Sequence, residues 1–243
     1  CAAQLMMLGS YASALSTRRV AVPTLVAEMR SQLAAGAREG GSAVVDFALG
    51  AHADDDGAWN GDGNGDGIGD GIGGRDEADA RRAARQAALM REAAVALARR
   101  SDVVIVALGD TARTAGEWAD RASLELPGHQ PALLAALAAT GTPLALVIVG
   151  GRPVTFGGAR GDALLRSANV SSLLFTYPPG QEGGSALARL LLGAAAPGGR
   201  LAHAWPRRAG PSAWLQPVSG KWRTHAWVPS GNGGGGRDGG SEG

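Results

Sequence analysis

Cysteine is almost absent from this sequence. A single residue, Cys1, excludes an intrachain disulfide and leaves the redox compartment open. Excess charge is lacking too: 23 Lys and Arg stand against 22 Asp and Glu, for a net charge of +1. That balance offers no broad attraction to nucleic acid or to an anionic membrane surface, so neither is expected as a partner. His52, His129, His203 and His225 show no metal-ligand spacing to one another, and the lone cysteine adds none. No strand is followed by the glycine fingerprint of a dinucleotide fold, and no P-loop spacing occurs. No Ser-His-Asp order stands out. No metal and no cofactor are therefore expected. A continuous membrane span is missing as well. Ala132 to Val149 is almost wholly apolar and long enough to cross a bilayer, but Thr140-Gly141-Thr142-Pro143 cuts it. A helix ending at glycine, a turn at proline and a β-branched strand account for it better. There is no initiator Met, and the sequence is read as a fragment or a processed piece.

What is present suits a globular core. The 243 residues are 45% hydrophobic, enough for one sizeable core and at most two small domains. Helical periodicity runs from Val22 to Ala35, with Pro23 suited to a first turn. Ser42 to Leu49 (SAVVDFAL) reads as a strand. Asp54 to Gly74 is rich in Asp and Gly and cannot bury a core, so it reads as a mobile insertion. Glu77 to Arg100 reads as a long helix with Leu89, Val95 and Leu97 available for one face, leading into a strand at Asp102 to Leu108. The alternation repeats: helix Pro131 to Ala139, strand Pro143 to Val149, strand Val170 to Tyr177, helix Gly184 to Leu192 and a last short strand Leu201 to Trp205. Strands and helices alternating through short connections predict an α/β fold, a mostly parallel doubly wound sheet covered on both faces. After about Pro206 the pattern fails, and Gly231 to Gly243 reads as a disordered tail.

The chemistry concentrates in Gly116 to Gly128, GEWADRASLELPG, just past the apolar run Asp102 to Leu108. In open α/β sheets ligands bind outside the carboxyl ends of strands. Glu117 there is a candidate acid or base, and a solvated loop carboxylate is the competing reading. Asp120 and Arg121 suit an ion pair or hydrogen-bonded clamp that fixes the loop; Trp118 suits an apolar wall or a place in the core. Gly180 to Gly184 opens a helix and offers anion donors there, although a tight strand-to-helix turn explains it as well. Glu182 would cap that helix or line a cleft. In Asp62 to Asp70, residues Asp62, Asn64, Asp66, Gly67 and Asp70 match part of a calcium loop. Gly73 occupies the position where a bidentate carboxylate belongs, and low-complexity drift explains the segment better.

The same residues carry a family resemblance. Glu117, Asp120-Arg121, Ser123-Leu124, Leu126-Pro127-Gly128 and Gln130 form one block. Tyr177-Pro178, Gly180-Gln181-Glu182-Gly183-Gly184, Leu192-Gly193, Pro197, Gly199-Arg200-Leu201 and Trp205-Pro206 form a second. Gly151-Arg152-Pro153-Val154 and Leu8-Gly9-Ser10-Tyr11 are shorter pieces. Together they resemble the C-terminal α/β sandwich domain of glycoside hydrolase family 3, over roughly residues 5 to 206, with wording closest to plant-type β-xylosidases and related arabinofuranosidases. The resemblance implies a sandwich over 1–206 that contains the 54–74 insertion, followed by an irregular 207–243. It implies part of a retaining β-glycosidase acting on β-linked sugars of an oligosaccharide or glycoside, β-xylosidase-like or β-glucosidase-like. In that chemistry one carboxylate attacks the anomeric carbon and a carboxylic acid protonates the leaving oxygen, then activates water. The family's nucleophile is an Asp on a separate N-terminal barrel domain, and Glu117 matches the family's acid/base. That role needs a raised pKa, from partial burial and the nucleophile's charge. Extracellular or secreted location is implied by the family alone.

The sequence also departs from the family. No Asp stands in the nucleophile's motif, so the barrel domain is the expected partner and the isolated chain is expected to be silent. The family's first strand, which ends in Gly-Pro ahead of the Leu-Gly-x-Tyr segment, is missing here, which would expose a sheet edge. The alternative function is a non-catalytic structural or carbohydrate-contacting module.

Overall fold

A computed structural model describes residues 22–36, 43–51, 77–111, 114–115, 123–202 and 205–206. By contacts the chain divides into Cys1–Ala209 and Gly210–Gly243, and every described residue falls in the first unit. The elements are α1 Leu25–Gly36, α2 Glu77–Ala98, β1 Val104–Gly109, α3 Gln130–Ala138, β2 Leu144–Val149, α4 Ala159–Leu165, β3 Val170–Thr176 and α5 Gly183–Leu191. The three strands form a parallel sheet in the order β1-β2-β3. The expected parallel α/β architecture is what the chain adopts.

β2, LALVIV, shows why its sequence carries no polar alternation. It lies between two parallel partners with helices over both faces, so both sides of the strand are buried. Leu144, Leu146 and Ile148 face one layer together with Val106 and Leu108 of β1. Ala94 and Ala98 of α2, Leu133, Leu134 and Leu137 of α3, and Leu164 and Leu165 of α4 cover that layer. Val147 faces the other layer, where Val22, Leu187 and partly buried Leu25, Leu190 and Leu191 bring α1 and α5 onto the sheet. Each fully buried Val, Leu or Ile among them contributes roughly 1.5–3 kcal/mol through apolar burial, and each Ala methyl about 0.8 kcal/mol.

Local chemistry sets the element ends. Thr24 caps α1, its Oγ1 accepting the Ala27 N–H at 3.2 Å. Pro23 thus precedes the helix instead of lying in its first turn. The apolar stretch 132–149 divides as its Thr-Gly-Thr-Pro break requires: the Thr140 hydroxyl donates to the Leu137 carbonyl at 2.7 Å, and Thr142 donates to the Ala98 carbonyl of α2 at 3.0 Å. Asn169 holds the other end of the turn, donating to the carbonyls of Ala138 and Thr142 at 3.0 and 3.1 Å. The ladder between β2 and β3 slips by one residue after Leu144, and the Ser171 hydroxyl donates to the Leu144 carbonyl at 2.9 Å.

Three expectations need correction. Residues 43–51 form no strand. Val44, Phe47 and Leu49 are 83%, 62% and 51% exposed, whereas Ala48 and Ala51 touch the core and Gly50 lies against Leu133. Small residues make the contact, so the β-branched and aromatic run is not what folds the segment. Leu201 and Trp205 form no strand either; the segment is held by the Trp205 side chain, which donates to the Val154 carbonyl at 2.6 Å and meets Phe175 edge-on. On α2 the buried stripe is Ala87, Met90, Ala94 and Ala98, and Leu89 is 53% exposed. Ala94 and Ala98 share one core there with Leu133, Leu134 and Leu137 of α3. The short helix α4 had no sequence signal.

Candidate functional site

Glu117, Trp118, Asp120 and Arg121 lie outside the described residues, as does the partial calcium loop Asp62 to Asp70. Thr114 and Ala115 before Glu117 in the sequence, and Ser123 onward after Arg121, are described. The loops after β1, β2 and β3 all leave the carboxyl edge of the sheet.

The frame begins at Gly109. Its φ is +135°, and an added Cβ would run into the Val149 carbonyl. Only glycine lets the backbone pass so close to β2 here. The Gly109 N–H donates to Gln130 Oε1 at 2.7 Å, and Gln130 Nε2 donates back to the Gly109 carbonyl at 2.8 Å. The Asp110 N–H points the other way, to the Val149 carbonyl at 3.0 Å. Buried Gln130 therefore serves Gly109 as a partner strand would, on the side of β1 away from β2.

Asp110 follows with its side chain wholly enclosed. Its Oδ1 accepts from the Thr114 hydroxyl at 3.2 Å, and its Oδ2 lies 3.7 Å from Arg152 Nε. Thr114 Oγ1 in turn accepts the Thr111 N–H at 2.8 Å, a tight local turn. Arg152 reaches the same turn from the loop after β2: its Nη2 donates to the Thr114 carbonyl at 2.8 Å. Gly150 leaves room for the pair, since a Cβ there would stand 3.1 Å from Asp110 Oδ2.

The return of the segment is held by the same loop. The Thr155 N–H donates to the Leu124 carbonyl at 2.7 Å, and the Leu126 N–H donates to the Thr155 carbonyl at 3.3 Å. Glu125 and Thr155 thus form a parallel bridge, with Thr155 and Pro127 buried. Ser123 Oγ accepts the Glu125 N–H at 3.1 Å and shapes the entry to it. The motif Ser-Leu-x-Leu-Pro-Gly is a structural clasp.

Asp110 and Thr114 were not singled out from the sequence, and Arg152 and Gln130 appeared only as motif letters. The available signal was Gly109-Asp110 directly after a buried strand. At Gly180 to Gly184 the structure has a turn into α5, with Glu182 at the cap position, exposed and without a side-chain capping bond. Among the described residues, no three His, Cys, Asp or Glu side chains gather as a metal site, and no helix is long and apolar enough to cross a membrane.

The profile of the glycosyl hydrolase family 3 C-terminal domain matches residues 2–228. A β-xylosidase of Formosa agariphila is 35% identical over 117 residues, 48% of this chain and 15% of that protein. A periplasmic β-glucosidase of Salmonella typhimurium is 35% identical over 121 residues, 50% of this chain and 15% of that protein. Among solved structures, a β-glucosidase involved in saponin metabolism from intestinal bacteria aligns at 34% identity and a TM-score of 0.46, over 52% of this chain and 18% of that one. The aligned part thus spans about 15% of the length of these curated relatives. The profile match covers nearly every residue of the sequence, and the chain belongs to glycosyl hydrolase family 3 as its C-terminal domain.

Proposed function

We propose that this chain is part of a retaining β-glycosidase, to which it contributes the general acid/base Glu117. The observation that carries the reading is the clasp around the 116–122 segment: both of its stems are tied to the loop after β2, at the carboxyl edge of a parallel sheet. A general acid works only when held within hydrogen-bond reach of the leaving oxygen, and a loop anchored at both stems meets that need. Trp118 would line the site, and Asp120 with Arg121 would hold the loop from within. The nucleophile is supplied by a barrel domain acting with this chain. The substrate is a β-linked xyloside or glucoside, in keeping with the names of the relatives. Export from the cytoplasm is part of the proposal, supported by the periplasmic relative.

The test is kinetic, in the protein that carries both domains. Glu117→Gly should depress turnover of glycosides with poor leaving groups by about 100-fold or more, and those with good leaving groups much less. Azide should raise turnover of the good-leaving-group glycosides, for which breakdown of the glycosyl-enzyme is the slow step, by attacking that intermediate in place of activated water. Unchanged activity toward poor leaving groups would remove Glu117 from the mechanism and favour a non-catalytic module.

A further inference from the structure

We propose that Arg152 is a positioning residue for Glu117, acting through the Thr114 carbonyl and buried Asp110. The inference rests on the acid/base reading of Glu117. Thr114 precedes Glu117 by three positions. Its carbonyl receives the Arg152 Nη2 hydrogen bond at 2.8 Å, while its hydroxyl donates to Asp110 Oδ1 at 3.2 Å. Arg152 Nε lies 3.7 Å from Asp110 Oδ2, which closes a ring of three residues. Asp110 has no side-chain exposure and Arg152 has 25%, so the carboxylate is fixed in the interior and aims a guanidinium that reaches toward solvent. One planar group hydrogen-bonds the carbonyl through Nη2 and sets its charge 3.7 Å from the carboxylate; an ammonium is a single point charge and serves such a pair less well.

The second stem shares the same support. Thr155, three positions after Arg152, receives and donates the backbone bonds of Leu124 and Leu126. The 150–155 loop therefore holds Thr114 on one side of Glu117 in the sequence and Leu124 to Leu126 on the other. Errors of about 1 Å in placing a reacting group cost on the order of 100-fold in rate. Loss of Arg152 should be felt at the step that needs the acid, and less at steps that do not.

The experiment compares Arg152→Met, Arg152→Lys and Glu117→Gly in the two-domain protein, on an alkyl and a dinitrophenyl glycoside of one sugar. Arg152→Met should lower kcat/KM by about 30- to 100-fold for the alkyl glycoside and by only about threefold for the dinitrophenyl one. Arg152→Lys should keep that order with a smaller loss, and it carries the comparison if the Met variant does not fold. Equal losses on both substrates would make Arg152 a fold residue only and overturn the inference, as would no loss. If Glu117→Gly is selective for leaving group and rescued by azide while the Arg152 variants are not selective, only the role of Arg152 falls. If Glu117→Gly shows no selectivity, the acid/base reading falls and the role of Arg152 falls with it.

Discussion

At the scale of single residues, buried polar side chains organise the carboxyl edge of the sheet. Gln130 satisfies both backbone groups of Gly109 inside the protein. Replacing it with Leu keeps the volume nearly constant but leaves an N–H and a C=O without partners. Each such group costs about 1–3 kcal/mol. Gln130→Leu should therefore lower the urea midpoint by the equivalent of roughly 2–6 kcal/mol. Gln130→Glu should be tolerated better at low pH, where a protonated carboxyl accepts the N–H and donates to the carbonyl, than at neutral pH, where a buried carboxylate would face the carbonyl oxygen. An unchanged midpoint in the Leu variant would mean that Gly109 has other partners. Asp110 poses a different problem, because a buried carboxylate is tolerated only when paired and hydrogen-bonded. Arg152 and Thr114 supply that pairing from opposite sides, and through it Asp110 holds two loops together.

At the scale of elements, the two faces of the sheet are built differently. On the α1/α5 side, contact depends on Gly184, where an added Cβ would meet the Pro23 carbonyl. Pro23 sits beside Val22, which packs with Val147 and Leu187, so a shift there loosens the small core of that face. Gly184→Ala should cost about 1–3 kcal/mol by overpacking. Gly36→Ala, with nothing within 4 Å of the new methyl, should be neutral or stabilising by up to about 1 kcal/mol. Thermal melts of the two variants make the comparison, and equal melting temperatures would remove Gly184 from the α1/α5 contact. Elements with long periodic or continuous apolar patterns were legible in the sequence: α2, α3, α5, β1, β2 and β3 fall within two residues of their expected bounds, and α1 within three. The short α4, ARGDALL, was not, because seven residues make only two turns and carry little periodicity. Residues 42–49 misled for the opposite reason, a strand-like composition whose larger side chains find no core.

At the scale of the whole molecule, the matches reach about 15% of the length of the curated relatives. Activity is thus proposed for a longer assembly in which a barrel domain supplies the nucleophile. The 243 residues alone should hydrolyse neither an aryl β-xyloside nor an aryl β-glucoside above buffer, and activity should appear when the barrel domain is joined to them. Turnover by the isolated chain that is lost in Glu117→Gly purified in the same way would contradict that division of labour.

The amino-acid order by itself determined the parallel architecture and the family. Buried strands separated by helices leave few other topologies, and the ordered motif blocks need no coordinates to be read. Tertiary structure decided which residues meet. Asp110 and Arg152 are far apart along the chain, and neither looks exceptional in its own segment. The register of the sheet, Gly109 opposite Val149, brings the residues after both strands to one edge. There a buried carboxylate requires a cation, and the loop after β2 provides Arg152. Pairing across strands, a property of the folded ladder and not of local sequence, is the physical reason the clasp could not be read in advance.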